Sequence, residues 1–193
     1  VTMQGLLTSW PWMSWLVLCW FTGMAALSLR ALAGWWMVES LRRRDTMALP
    51  PELLARCHAL KNQLAVTRSV RFLQSARVGV PVVIGWFRPA ILVPAAAIAG
   101  LSPQQLEALI QHELAHIRRH DALINLVQLA VETVLFYHPA VWHVSRRIRI
   151  ERENCCDDLA VSGCGDTVLY VEALTALEAG RLPPGLVLAA HGG

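Results

Sequence analysis

Two histidines four residues apart, with a glutamate directly after the first, can build a metal-dependent hydrolase. The chain carries that set as His112-Glu113-Leu114-Ala115-His116. On a helix, residues four apart lie about 40° apart around the axis and about 6 Å apart along it, so both imidazoles can reach one ion. Glu113 then stands about 100° round from His112, beside the ion rather than on it. A general base must stand there to take a proton from metal-activated water. The competing reading is a surface helix that happens to hold two histidines. The context favours the metal. Ser102-Pro103 followed by Gln105 reads as a helix start, with Ser as N-cap, Pro in the first turn and Gln closing a capping box. Leu106, Leu109, Ile110, Leu114 and Ile117 recur at helical spacing and supply a buried face.

Catalytic zinc normally has three protein ligands and one open position, so a third ligand must come from elsewhere. The richest stretch is Glu151-Arg152-Glu153-Asn154-Cys155-Cys156-Asp157-Asp158. Glu151 and Glu153 lie about 200° apart on a helix, so only one can face the metal. Glu153 and Asp157 share a face, which permits a ligand with a carboxylate behind a ligating histidine. His120 competes as a ligand, but three ligands along one straight helix span too far. His138 and His143 could each hold a transition-state oxyanion, or be packed or surface histidines.

The elements that position these residues read as mostly helical. A helix is predicted from Pro50-Pro51 to about Leu64. Three short strands follow, over Ser69–Ser75, Val80–Gly85 and Ala90–Val93, with a turn at Gly85–Pro89. Trp86 and Phe87 in that turn are a substrate or membrane contact, or caps on the core. A free sheet edge beside the metal helix could take substrate as an added strand. Ala122–Tyr137 is apolar around Asn125, Gln128 and Glu132, and is short and polar for a span. Its flanks, Arg118-Arg119 and Arg146-Arg147, are both basic, so it reads as a buried or membrane-hugging helix, with a second span as the alternative. Glu132 should pair with an arginine. Pro139 opens a helix to about Val161, ended by Gly163 and Gly165, and Asp166 caps a last helix to about Ala179.

Of the 193 residues, 55% are hydrophobic, and the mean hydropathy is +0.43. Part of the chain should meet lipid. Val1 to Leu29 holds no charge, with Trp10, Trp12 and Trp15 at one end and Trp35 and Trp36 at the other. As a helix, Trp12 to Trp35 extends roughly 35 Å, which matches a hydrocarbon core with aromatic belts. A secretory signal would carry its positive charge before the apolar run; here Arg42-Arg43-Arg44 follow it. The positive-inside rule places everything after residue 42 in the cytoplasm. Five cysteines without C-x-x-C argue against a disulfide framework or a cysteine zinc site. The net charge of +3 comes from scattered arginines without a nucleic-acid motif, so no direct nucleic-acid binding is expected.

Three runs together resemble the BlaR/MecR-type antirepressor metallopeptidases. They are Gln111 to Asp121, Phe136-Tyr137-His138-Pro139-Ala140-Val141-Trp142, and Glu153-Asn154-Cys155-Cys156-Asp157-Asp158. Gly85-Trp86-Phe87-Arg88-Pro89-Ala90-Ile91-Leu92-Val93-Pro94 and the tryptophan-rich span also resemble that family, and the likeness covers roughly residues 10 to 175. The resemblance implies an integral-membrane gluzincin with a cytoplasmic protease domain. It implies zinc held by His112, His116 and Glu153, with Glu113 as base. It further implies self-cleavage and cleavage of a DNA-binding repressor.

The expectation is therefore an α+β, mostly α chain. Residues 1–41 form a transmembrane anchor in the cell membrane, and residues 42–193 a zincin-like metallopeptidase domain with a small sheet, read as a piece of a longer protein. Membrane lipid and a protein substrate are the expected partners, and a homodimer is one possible assembly. The function is endopeptidase cleavage in signal transduction. The alternative is a non-enzymatic transducer with a structural or vestigial zinc site. Asp157 is expected behind a metal-bound histidine, and His138 as a candidate oxyanion stabiliser.

Overall fold

A computed structural model describes residues 11–43 and 46–181. The predicted flanking residues Trp10 and Arg44 lie outside them. Helix α1, Pro11–Arg43, carries a 29-residue stretch, Trp12–Ser40, that is long and apolar enough to cross a membrane, and its apolar side chains are largely exposed. Strand β1, Thr46–Ala48, helix α2, Pro51–Gln63, and strands β2, Arg71–Ser75, β3, Val82–Ile84, and β4, Ala90–Pro94, follow. Then come helices α3, Ala95–Gly100, α4, Pro103–Arg118, α5, Asp121–Val134, α6, Pro139–Cys164, and α7, Thr167–Arg181.

The sheet has four strands in the order β1-β2-β4-β3, not the three expected. The added strand, β1, is three residues long and pairs antiparallel with β2, so it carries no alternation to read. β2 and β4 pair in parallel, and β3 pairs antiparallel with β4. β4 is buried at every position, as its continuous apolar run requires of a strand covered on both faces. β3 is shorter than predicted. Pro81 has no N–H to donate, and Gly85, at φ +88°, turns the chain away.

α4 is the central helix. Its start is the predicted capping box: Gln105 N–H donates to Ser102 Oγ at 3.2 Å, and Ser102 N–H to Gln105 Oε1 at 3.0 Å. Leu106, Ile110, Leu114 and Ile117 join Phe72, Ile91 and Val93 of the sheet and Cys57 and Leu60 of α2 in one core. Truncating Leu114 to alanine would cost about 2–5 kcal/mol. The opposite side of α4 is built from small residues. Ala108 packs with Ala160 of α6 and Tyr170 of α7, and Gln111 lies against Gly163. A Cβ on Gly163 would collide with the Gln111 side chain. Gly163 lies inside α6, which ends only at Gly165, at φ +70°. Small residues on this face let α6 come close enough to bring its carboxylates to the histidines of α4.

Candidate metal centre

His112 and His116 point their Nε2 atoms at each other, 3.1 Å apart. Glu153 Oε2, reaching in from α6, lies 3.7 Å from each. Zinc bonded tetrahedrally at about 2.0–2.1 Å keeps its ligand atoms roughly 3.3 Å apart. The three atoms already form a triangle of that size and could hold a metal ion.

The other ring nitrogens fix which atoms are free for a metal. His116 Nδ1 lies 2.7 Å from Asp121 Oδ2, and His112 Nδ1 lies 3.0 Å from Asp157 Oδ1. A carboxylate only accepts, so each Nδ1 carries the proton and each Nε2 keeps its lone pair. Burial pushes the His112 pKa down, helped by the neighbouring His116 and opposed by Asp157 and Glu153. A neutral imidazole is the form that binds metal.

Asp121 reaches His116 because the link between α4 and α5 is two residues long. Arg119 ends α4, and His120 takes the left-handed conformation, φ 59° and ψ 34°, which sends α5 back across the end of α4. Histidine tolerates that region better than bulky or β-branched residues do. Arg152 of α6 donates to the Asp121 carbonyl oxygen at 3.2 Å and tightens the same corner. Cys156 donates its thiol hydrogen to Asp121 Oδ2 at 3.5 Å and lies 3.3 Å from His116 Nδ1. Burial and the Asp121 charge push the thiol up to about 12, so without a metal it stays protonated. His116, Asp121 and Cys156 are also clustered closely enough for an ion. In that cluster, however, the histidine nitrogen is already committed to the carboxylate.

Behind His112, Tyr170 of α7 donates to Asp157 Oδ1 at 2.6 Å and lies 2.9 Å from His112 Nδ1. Burial and the Asp157 bond push the tyrosine pKa up, so the hydroxyl stays a donor.

Glu113 points the other way, toward the sheet. It takes a backbone hydrogen bond from Val83 of β3. Burial, with a smaller push from the Glu153 charge, outweighs that bond and raises its carboxyl to about 8. A cavity of about 700 Å³ opens over His112, Glu113, His116 and Glu153. Its walls include β3, Trp86, Asn125 of α5, and Gly34 and Trp35 of the membrane-length helix.

The remaining sequence candidates are placed as follows. His120 lines the cavity but is not among the clustered ligand atoms. His138 is exposed at the N-cap of α6 and absent from the cavity wall. It precedes Glu153 by roughly 22 Å of helix, too far to touch a reacting carbonyl there. His143 lines a separate depression with Arg147 and Glu151. Glu132 pairs with Arg149 at 2.6 Å, as expected of a buried carboxylate. Trp86 and Phe87 stack on each other, exposed, and do not cap the core. The carbonyl of Trp86 accepts from Arg68. Asp121 and Tyr170 were not anticipated. Asp121, first in the helix after the motif, is the only one of the two with a local signal.

Residues 6–191 match the model of the BlaR1 peptidase M56 family. The regulatory protein BlaR1 of Bacillus licheniformis is 28% identical over 138 residues, which is 72% of this chain and 23% of that protein. The methicillin resistance mecR1 protein of Staphylococcus aureus is 24% identical over 83 residues, 43% of this chain and 14% of that protein. The chain thus spans less than a quarter of the length of these relatives. It belongs to the BlaR1 peptidase M56 family, as a membrane-associated member with a cluster of residues able to hold a metal.

Proposed function

We propose that this chain is a zinc-dependent endopeptidase of the gluzincin type, anchored by α1, with the domain from residue 42 onward in the cytoplasm. The observation that carries the reading is the triangle of His112 Nε2, His116 Nε2 and Glu153 Oε2, with Glu113 beside it on the cavity wall. His112, His116 and Glu153 would hold the zinc, and Asp157 and Asp121 would fix the two imidazoles. Bound zinc supplies Lewis acidity toward the scissile carbonyl and acidifies water. Glu113 takes the proton of the attacking water and returns it to the leaving amine.

β3 is an edge strand whose outer side borders the cavity. It can receive an extended peptide as an added strand, with main-chain hydrogen bonds setting its register across the metal. The substrate is a protein segment, from a transcriptional repressor or from the chain itself, cleaved in signal transduction. The likeness to BlaR1 and mecR1 supports that choice.

The test is Glu113→Gln in the membrane-reconstituted chain. Zinc content should be unchanged, while self-cleavage and cleavage of unfolded casein fall by about 10²–10⁴-fold. Undiminished cleavage would overturn the mechanism. Zinc bound by a wild-type chain that cleaves neither substrate would favour a structural metal in a non-enzymatic transducer.

A further inference from the structure

α5 is amphipathic in an unusual sense. Three of its polar groups turn inward, while Asn125 faces the cavity. Asp121, Gln128 and Glu132 are buried, Gln128 donating to the Ser145 carbonyl at 3.1 Å and Glu132 accepting from Arg149. Its outer face is apolar and open, with Leu126, Val127, Val131 and Val134 each about half exposed (44%, 56%, 43% and 44%). From Ala122 through Trp142 no exposed residue carries a fixed charge. The turn into α6 adds exposed Tyr137 and Trp142, the Trp142 indole donating to the Phe136 carbonyl at 2.7 Å. Arg146 and Arg147, both exposed, are the first exposed fixed charges beyond that turn.

This face is continuous with the membrane-length helix. Trp20 Nε1 donates to the Val134 carbonyl at 3.0 Å, and Gly23 lies flush against the Phe136 ring, where a side chain would clash. At the other end, Gly34 and Trp35 share a cavity wall with Asn125 and Leu126. α5 therefore runs antiparallel alongside α1. Arg30 is the first charge along α1, close enough to the Trp35–Trp36 end to snorkel to the lipid–water boundary. Gly23 lies roughly 10 Å beyond Arg30, toward the bilayer interior. Arg146 sits about 10 Å along α6 from Pro139, leading back from the tip. Two segments of the chain, α1 and α6, thus carry their first exposed charges on the same side of the tip.

We propose that the α5–α6 hairpin tip, Leu126 to Trp142, is embedded in the lipid bilayer beside α1, entering and leaving by the same leaflet. The occupant of the apolar face is lipid. The inward pairing of Gln128 and Glu132 takes their polar groups away from hydrocarbon, leaving His138 as an exposed polar side chain in the turn. Tyr137 and Trp142 supply the amphipathic rings common near membrane boundaries. As a consequence, the cavity over the metal centre opens at the lipid–water boundary, where a polypeptide leaving the membrane would meet it.

The test is nitroxide scanning of the full chain in phosphatidylcholine–phosphatidylglycerol nanodiscs. Cys19, Cys155 and Cys164 are replaced by serine, and single labels are placed at Val127, Val131 and Val134. Leu18 of α1 and Arg56 of α2 serve as lipid and water references. Collision with oxygen relative to a water-soluble nickel chelate should be several-fold higher at the three valines than at Arg56, and close to Leu18. Values like those of Arg56 would place the face in water and overturn the proposal. Labels immobilised and shielded from both reagents would mean that protein covers the face, and would equally overturn it.

Discussion

His112 and His116 are one turn apart on one helix, yet what stands behind them differs. Asp121, behind His116, has a side chain only 5% exposed and is held by α5, Arg152 and Cys156. Asp157, behind His112, is 44% exposed and is steadied by one tyrosine hydroxyl. The shielded pair is the stronger electrostatic constraint, because water screens the other. The site thus has a rigid side, rooted where α5 leaves α4, and a softer side facing α7. The softer side is the one through which movement of α7 would reach the metal.

That contrast can be broken in order of size. Replacing a carboxylate behind a metal-bound histidine costs about 10–100-fold in metal affinity. Asp121→Asn should fall at the upper end of that range and Asp157→Asn at the lower, read by competition with a zinc chelator. Equal losses would erase the distinction between the two sides. Tyr170→Phe should cost less than Asp157→Asn, because the carboxylate remains and only its hydroxyl donor is lost. A Tyr170→Phe loss larger than that of Asp157→Asn would instead assign the tyrosine a direct role.

A separate effect, read without metal, is a pH dependence of stability. Burial raises the Glu113 carboxyl to about 8, well above its unfolded value of about 4.3. Below the unfolded value the group is neutral in both states and costs nothing. As pH rises toward 8, the unfolded chain ionises first and stability falls. In chelator, Glu113→Gln should therefore raise the melting temperature more at pH 8 than at pH 5. A gain independent of pH would remove burial as the cause.

What could be read from the sequence was local. The capping box, the apolar face of α4, the Glu132–arginine pair and the shared face of Glu153 and Asp157 follow from spacings of three to four residues or from burial of one charge. Tyr170 could not be read, because it meets Asp157 only after α6 and α7 pack on the small face of α4. β1 could not be read, because three residues show no period. The choice for His138 between oxyanion stabiliser and surface histidine stayed open in the sequence, because its place depends on how far α6 runs unbroken before Glu153. Gly163, expected as a stop, lies inside α6, where the absence of a side chain leaves room for Gln111.

The central claim is that His112, His116 and Glu153 bind one ion. Zinc stoichiometry of the purified full chain, beside Glu153→Ala, tests it most directly. One zinc per wild-type chain, lost or greatly weakened in the variant, is the predicted result. Equal zinc in both would contradict the assignment of Glu153 and the triangle on which the proposed mechanism stands.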